Sequence, residues 1–112
     1  MTRLNKSKSA IVFGGSGFLG SHISDYLTLA GYKVTIFDKK RSRFLKKKQT
    51  MVIGDITNYY AVHSAIKKNK YVFHFAGVSD LEESNLNPLK TIKFNILGTT
   101  NILEAIKNNK KT

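Results

Sequence analysis

The sequence predicts an α/β fold in which helices cover both faces of a parallel β-sheet. Short apolar runs alternate with longer amphipathic segments along the chain, in the order β-α-β-loop-β-α-β-α. Strands that alternate with helices imply right-handed crossovers and therefore parallel strands. In addition, the fourth apolar run, residues 71–76 (YVFHFA), is apolar at nearly every position, which is typical of a strand covered on both faces.

Four strands and three helices account for most of the chain. The predicted strands are residues 9–13 (SAIVF), 33–37 (KVTIF), 51–53 and 71–76. The predicted helices are residues 18–30, residues 58–68, and a last helix that starts at Asn87 and Pro88 and continues to about residue 108. Gly31 is a plausible stop signal for the first helix. The apolar residues at helical spacing are Leu19, Ile23 and Leu27, then Val62 and Ile66, and finally Ile92, Ile96, Leu103 and Ile106.

Length and composition allow one domain and exclude several classes of protein. The chain has 112 residues and is 41% hydrophobic, which is enough to bury a core. It has no cysteine, so disulfide frameworks and cysteine-based metal sites are excluded. No apolar run reaches the roughly 20 residues of a membrane helix, and residues 1–9 do not resemble a secretory signal. We therefore expect a cytoplasmic protein with no membrane partner.

The net charge of +12 raises the possibility of a nucleic-acid-binding module. The excess is nearly all lysine, whereas base recognition depends strongly on arginine. The basic residues lie at the ends of elements and in the loop of residues 39–48, and no aromatic residues are interleaved with them on one face. A nucleic-acid-binding module is therefore the less favoured alternative.

The glycine-rich turn after the first strand predicts a phosphate-binding site. Residues 14–20 (GGSGFLG) contain the pattern G-x-x-G-x-x-G between a predicted strand and a predicted helix. In such a turn Gly14 permits the tight bend, Gly17 lets a pyrophosphate approach the backbone, and Gly20 lets the helix pack closely. The helix N-terminus then offers N–H groups and a positive dipole to the phosphates. The alternative is a glycine-rich turn without a ligand, and an ATP-type P-loop is excluded because the G-K-[ST] ending is missing.

Asp38 ends the second predicted strand, 18 positions after Gly20. A dinucleotide-binding fold places an acidic residue there to accept hydrogen bonds from the adenosine ribose. Because a carboxylate repels a 2′-phosphate, Asp38 favours NAD over NADP, although a basic cluster follows directly at residues 39–41 and could hold that phosphate. Otherwise Asp38 is a solvated residue at a strand end. The predicted fold is accordingly a Rossmann-type, doubly wound parallel sheet with the strand order 3-2-1-4, which stops after the fourth strand and its following helix.

Four blocks of residues occur in an order and at intervals that are typical of one enzyme family. They are residues 14–22 (GGSGFLGSH), 54–56 (GDI), 74–77 (HFAG) and 95–105 (NILGTTNILEA). Together they resemble the extended short-chain dehydrogenase/reductases, and among these the NAD-dependent epimerase/dehydratase group, which acts on nucleotide sugars. The resemblance implies that residues 1–112 are the N-terminal, NAD-binding part of an enzyme that also takes a nucleotide-diphosphate sugar and forms a homodimer. The catalytic remainder and the substrate domain would follow Thr112.

The resemblance also assigns site residues. Asp55 would hold the edge of the adenine and Ile56 would pack on its face, although Asp55 could instead cap the helix that starts near Asn58. Phe75, Ala76 and Gly77 match the segment that lines the nicotinamide-side ribose and phosphates, and Asn95 matches an asparagine that braces the catalytic lysine. The predicted cofactor-binding residues are therefore Gly14, Gly17, Phe18, Leu19, Gly20, Asp38, Asp55, Ile56, Phe75, Ala76, Gly77 and Asn95.

No catalytic or metal-binding residue is predicted in this chain. The family's chemistry needs a Tyr-x-x-x-Lys pair, and the residues four positions after the five tyrosines are Ala30, Ile36, His63, Ser64 and Phe75. His74 lies in an apolar strand and is expected to pack in the core. Ser79 stands where galactose epimerases tend to carry a lysine, which weakens an assignment to that reaction. We expect a full-length NAD-dependent enzyme whose first 112 residues are inactive alone, with a non-enzymatic dinucleotide-binding module as the main alternative.

Overall fold

The computed structural model describes residues 8–43, 45–77, 81–109 and 112, and Ser79 lies outside these ranges. Its sheet has four parallel strands in the order β3-β2-β1-β4, which confirms the predicted fold class and strand order. Phe13 of β1 pairs with Phe37 of β2 and with His74 of β4, so the carboxyl ends of these strands lie side by side. The strands are β1 (Ser9–Phe13), β2 (Lys33–Asp38), β3 (Gln49–Ile53) and β4 (Tyr71–His74).

The helices agree with the prediction in the first two cases and differ in the third. The predicted last helix is interrupted by a π-helical turn, and a short helix that the sequence did not predict lies before it. Pro88 occupies the first turn of α4 as predicted, but the Asn87 side chain makes no capping hydrogen bond. Within the described ranges, no helix has the length and apolar character that crossing a membrane requires. The elements are α1 (Phe18–Leu29), α2 (Tyr59–Ile66), α3 (Leu81–Leu86), α4 (Pro88–Ile92), the π-helical turn (Lys93–Leu97) and α5 (Gly98–Lys107).

Helices cover both faces of the sheet because β1 is apolar on both sides. All five residues of β1 are buried, and their side chains alternate between two core clusters. Ile11 and Phe13 belong to the cluster that includes residues of α2 and α5, whereas Ala10 and Val12 belong to the cluster that includes Leu27 of α1. The fold is therefore doubly wound, and the carboxyl end of β1 meets the turn into α1 at the centre of the sheet.

The buried faces of two helices differ from the predicted apolar stripes. In α1 the buried residues are Gly20, Ser24 and Leu27, and Ile23 packs against the same core cluster as Leu27, so of the three predicted apolar residues only the exposed Leu19 departs from the prediction. Small residues form this face because they allow α1 to lie close to the sheet, and the Ser24 hydroxyl donates a hydrogen bond of 2.7 Å to the Gly20 carbonyl. The absence of a side chain at Gly20 thus lets the first turn of α1 lie directly against the glycine turn.

The last helical region also presents a different face from the predicted one. Ile92, Ile96 and Leu103 are exposed, while α5 buries Gly98, Asn101, Ile102 and Ala105. The π-helical turn holds one more residue per turn than an α-helix, so it changes the phase of the apolar pattern on its two sides. A single 3.6-residue period drawn through the whole region was therefore wrong.

Strand β4 is shorter and more exposed than predicted. It ends at His74 rather than at residue 76, and only β1 pairs with it among the described residues. Tyr71 is 44% exposed, and the other three residues of β4 are half-buried. The prediction that both faces of this strand are covered is therefore not met within the described part of the chain.

Candidate functional site

The glycine turn owes its shape to contacts that only glycine at position 14 permits. Gly14 has a φ of +80°, which side chains rarely tolerate, and a Cβ there would lie 2.6 Å from the amide nitrogen of Ala76. The Gly14 N–H donates a 2.9 Å hydrogen bond to the Phe37 carbonyl, and its own carbonyl accepts a 3.1 Å bond from Gly17. The turn is thus held between the ends of β2 and β4.

Gly20 and Gly17 serve different physical needs. A Cβ at Gly20 would overlap the carbonyl of Gly14, so the first turn of α1 can pack on the glycine turn only without a side chain. A Cβ at Gly17 would meet only the Gly14 oxygen, at 3.4 Å, and would otherwise enter open space. Gly17 is also the N-cap of α1, and no side chain caps this helix. The open space therefore lies where free N–H groups of the helix start are available.

Asp38 connects the end of β2 to the glycine turn. Its Oδ2 accepts a 3.0 Å hydrogen bond from the Ser16 N–H, and its Oδ1 accepts a 3.2 Å bond from the Lys40 N–H. The Ser16 hydroxyl donates in turn to the Lys40 carbonyl at 2.6 Å. A carboxylate has about four acceptor positions, so Asp38 retains positions for further donors.

Asp55 forms a turn before α2 and does not cap that helix. Its Oδ1 accepts hydrogen bonds of 2.9 Å from the Thr57 N–H and 2.8 Å from the Thr57 hydroxyl. Asn58 is the N-cap residue instead, and its side chain accepts from the Ala61 N–H at 3.2 Å. The capping role considered for Asp55 is therefore wrong, and its Oδ2 faces other partners.

Lys39 reaches across the site to Asp55 and to an aromatic ring. Its Nζ lies 3.5 Å from Asp55 Oδ2 and 4.3 Å from the centre of the Phe94 ring. Burial raises the pKa of the Asp55 carboxyl, but the Thr57 hydrogen bonds and the Lys39 ammonium outweigh that effect, and the pKa lies below its usual value. Asp55 is therefore ionised at neutral pH.

A cavity of about 200 Å³ lies at the carboxyl ends of β1, β2 and β4, where these features meet. In an open α/β sheet, ligands bind at this edge, where the strand order reverses. Seven of the predicted cofactor-binding residues line it, namely Gly14, Gly17, Asp38, Ile56, Phe75, Ala76 and Gly77. Four further residues line it that were not predicted, namely Phe37, Lys39, Gly54 and Phe94. Each of these four is adjacent in sequence to a predicted residue, and this proximity was the available signal.

The remaining predicted residues lie next to this cavity but do not line it. Phe18 and Leu19 are exposed at the start of α1, and Gly20 lies beneath the glycine turn. Asp55 contacts Lys39, which lines the cavity, through its Oδ2. Asn95 lies in the π-helical turn, and its Oδ1 approaches Gly77 so closely that a Cβ there would be 3.1 Å away. Single π-helical turns inside α-helices are frequent at functional sites.

Ile56 and Gly98 are packed against each other below the site. Ile56 is only 2% exposed, and a Cβ at Gly98 would overlap its side chain. The Asn101 amide donates a 2.8 Å hydrogen bond to the Ile56 carbonyl. Close packing against the loop before α2 therefore explains the glycine at position 98.

A second, larger cavity of about 470 Å³ lies on the other side of Ser16, between α1 and the loop after β2. Its charged lining residues are Lys40, Arg41, Arg43, Lys46 and Asp25. Gln49 closes its floor, since its amide donates hydrogen bonds of 3.0 Å to both Asp25 and Thr28. Among the basic residues that follow Asp38, Lys39 thus faces the first cavity, whereas Lys40, Arg41, Arg43 and Lys46 face the second.

His74 is half-buried rather than fully enclosed in the core. Its Nε2 forms a 2.9 Å hydrogen bond with the Thr99 hydroxyl, and its ring packs edge-on against Phe13. Its Nδ1 is buried without a hydrogen-bond partner among the described residues. Burial lowers the pKa of this imidazole below its usual value. The ring is therefore neutral at pH 7 and packs in the structure as expected.

Comparison with known proteins places this geometry in a defined group. A family model described as the NAD dependent epimerase/dehydratase family matches residues 10–112. The UDP-glucose 4-epimerase of Rickettsia rickettsii is 30% identical over 94% of this chain and 34% of its own length. Human sterol-4-alpha-carboxylate 3-dehydrogenase, decarboxylating, is 35% identical over 92% of this chain and 26% of its own length.

Solved structures agree with the sequence relatives. The crystal structure of the UDP-glucose 4-epimerase of Thermus thermophilus in complex with NAD superposes with a TM-score of 0.84 at 27% identity, covering 92% of this chain and 35% of that chain. This chain therefore spans about a third of the length of these proteins or less.

Proposed function

The chain belongs to the NAD-dependent epimerase/dehydratase family, and from this premise we propose that residues 1–112 are part of the NAD-binding domain of a nucleotide-sugar epimerase or dehydratase. The observation that carries this proposal is the cavity at the carboxyl ends of β1, β2 and β4. There the glycine turn, the Asp38 carboxylate and the segment of residues 75–77 face one space. Relatives that act on UDP-sugars by name, such as UDP-glucose 4-epimerase, support the substrate class.

The residues present fit an adenine dinucleotide. The space beside Gly17 is free of side chains and lies at the uncapped start of α1, which suits a pyrophosphate. Asp38 retains acceptor positions for the hydroxyls of the adenosine ribose. Asp55 retains an acceptor position on Oδ2 for the 6-amino group of adenine, because Thr57 occupies Oδ1. Gly77, with Asn95 behind it, continues the site toward the nicotinamide side.

NAD is the proposed cofactor rather than NADP, because the Asp38 carboxylate would lie beside a 2′-phosphate. Solved structures of UDP-glucose 4-epimerases in complex with NAD support this choice. When bound, NAD accepts and returns a hydride at a sugar carbon. The residues of this chain bind and orient the adenosine and pyrophosphate half. The Tyr-x-x-x-Lys pair, the nucleotide-diphosphate sugar and a homodimer partner belong to the proposed full-length enzyme.

Calorimetric titration of the chain with NAD, and separately with duplex DNA at low and high salt, tests the proposal. We expect saturable binding of NAD with one site per chain. DNA binding with a steep salt dependence and no heat from NAD would support the nucleic-acid-binding alternative and overturn the proposal. A longer chain that binds NAD but does not turn over UDP-glucose, UDP-glucuronate or their N-acetylated analogues would favour a non-enzymatic dinucleotide-binding module.

A further inference from the structure

We propose that Lys39 is a clamp over the purine base, held in place at its far end by Asp55 and Phe94, and that it makes the site select a purine over a pyrimidine. This inference rests on the proposed function and adds a specificity-determining residue to it. Neither Lys39 nor Phe94 belongs to the sequence blocks that identified the family. Their role follows from where the fold brings them together.

The Lys39 side chain extends from the end of β2 to Asp55 and Phe94. Lys39 starts at the end of β2, directly after the ribose acid, and its ammonium ends between Asp55 and the ring of Phe94. Both Lys39 and Phe94 line the cavity of about 200 Å³. The Lys39 side chain, which is 47% exposed, therefore runs along the open side of the cavity between its two ends. A side chain that is fixed at both ends loses less entropy when a ligand arrives than a free lysine would lose.

The space that Lys39 borders is limited in size and has several apolar walls. The cavity is smaller than the roughly 300 Å³ at which pockets for drug-sized ligands begin, so it accepts one ring system rather than a whole dinucleotide. Its walls include Phe37, Ile56 and Phe75, and Gly54 leaves room at its edge. A flat, apolar base fits between such walls, and the methylene stem of Lys39 adds a fourth apolar surface.

The clamp leaves hydrogen-bonding groups of Asp55 and Lys39 available to recognise the edge of a base. Asp55 accepts two hydrogen bonds from Thr57 on Oδ1 and one contact from Lys39 on Oδ2. With about four acceptor positions on a carboxylate, one remains on Oδ2, next to the ammonium. Asp55 lies next to Lys39 just outside the cavity, so the edge of a base that extends past the cavity meets an acceptor and a donor side by side. The larger ring system of a purine reaches this edge, whereas a pyrimidine on the same ribose is shorter.

Binding of 5′-ADP and of 5′-UDP to the wild-type chain and to Lys39→Met tests the inference by calorimetry. Methionine retains an apolar stem and removes the charge that Asp55 and Phe94 hold. We expect the affinity for 5′-ADP to fall about fivefold, the size of one lost hydrogen bond of about 1 kcal/mol from the ammonium to the edge of the base, while the affinity for 5′-UDP changes less. The preference for ADP over UDP should therefore shrink in Lys39→Met.

Two further variants separate a clamp from a general charge effect. Lys93→Met removes the same charge next to Phe94 from an exposed residue that does not line the cavity, and it should leave the ADP-to-UDP ratio unchanged. Phe94→Leu removes the aromatic anchor, and combining it with Lys39→Met should cost no more than the larger single effect. Circular dichroism checks that each variant is folded.

The possible results decide between distinct conclusions. An unchanged ratio in Lys39→Met, or tighter binding of 5′-ADP, would overturn the clamp while leaving the proposed function intact. Equal losses for ADP and UDP would show that Lys39 acts on the diphosphate and would also overturn it. A wild-type chain that binds no adenosine nucleotide at all would refute the proposed function, and the clamp with it.

Discussion

Two sides of the molecule differ in how far their polar groups are hydrogen-bonded and their apolar side chains are covered by other described residues. The loop side comprises the glycine turn, the end of β2 and the loop of residues 54–58. The β4 side comprises β4, α3, α4 and the π-helical turn. On the loop side, backbone and side-chain hydrogen bonds join segments that are distant in sequence, as between Ser16 and Asp38 or between Gly54 and Asp38.

On the β4 side, apolar side chains remain uncovered. Leu86 is 70% exposed and Leu89 is 80% exposed, and the π-helical turn exposes Ile96. Nothing in the described part of the chain covers these side chains. The comparison shows that hydrogen bonds between distant segments hold the loop side together, whereas the described residues leave much of the apolar surface of the β4 side uncovered. Substitutions on each side of the molecule test this difference.

The sharpest test of the loop side replaces two glycines of one turn. Gly20→Ala should destabilise the fold by about 3 kcal/mol, at the upper end for overpacking, because the new methyl group overlaps the Gly14 carbonyl. Gly17→Ala should change stability by less than about 1 kcal/mol, because the loss of the N-cap preference for glycine is offset by the smaller entropy of the unfolded chain and the methyl group meets open space, but it should abolish binding of 5′-ADP. Urea denaturation and calorimetry measure the two effects. Similar stability losses in both variants would contradict the distinction.

The matching test of packing uses the contact beneath the site. Gly98→Ala should destabilise the fold by about 1 kcal/mol, because overlap with Ile56 outweighs the better helix propensity of alanine. Adding Ile56→Val, which removes the outermost methyl group, should recover part of that loss. A double-mutant cycle by chemical denaturation measures the coupling. Strictly additive effects would show that the two residues do not press on each other.

The charge on Asp38 should disfavour a nucleotide that carries a 2′-phosphate on its ribose. In Asp38→Asn, the ratio of affinities for 2′,5′-ADP and 5′-ADP should rise about fivefold, because about 1 kcal/mol of repulsion is removed beside Lys40 and Arg41. Asp25→Asn is a suitable control, since it removes a charge from the second cavity without touching the ribose acid. If Asp25→Asn raises the ratio of affinities as much as Asp38→Asn does, the selectivity depends on the overall charge of the region and not on Asp38.

The smallest expected effect is a pH dependence on the β4 side. Because burial lowers the pKa of His74 in the folded state, the unfolded chain takes up its proton more readily. The contribution of His74 to stability should therefore be complete above about pH 6.5 and decline as the pH falls through the lower folded value. His74→Gln should reduce the change in melting temperature between pH 7 and pH 5. An unchanged slope in His74→Gln would contradict this assignment.

Features set by local requirements could be predicted from the sequence, whereas contacts between distant segments could not. The glycine turn, the strand order and Asp38 were predictable because each depends on a local requirement, such as the positive φ of Gly14 or a strand end followed by a turn. The destination of Lys39 was not predictable, because Phe94 lies on a distant helix and the two meet only in the folded chain. The exposed face of the last helix was mispredicted because a π-helical turn has no clear sequence marker.

The hydrogen bond from the Ser16 amide to Asp38 gives the molecule a built-in reporter. This amide belongs to no helix or strand, yet a carboxylate from another segment holds its proton. Its hydrogen exchange should therefore be slow only while the turn and the end of β2 stay together. A ribose hydroxyl that shares the Asp38 carboxylate would change the chemical shift of this one proton. A single nuclear magnetic resonance signal would thus record both the opening of the turn and the arrival of a nucleotide.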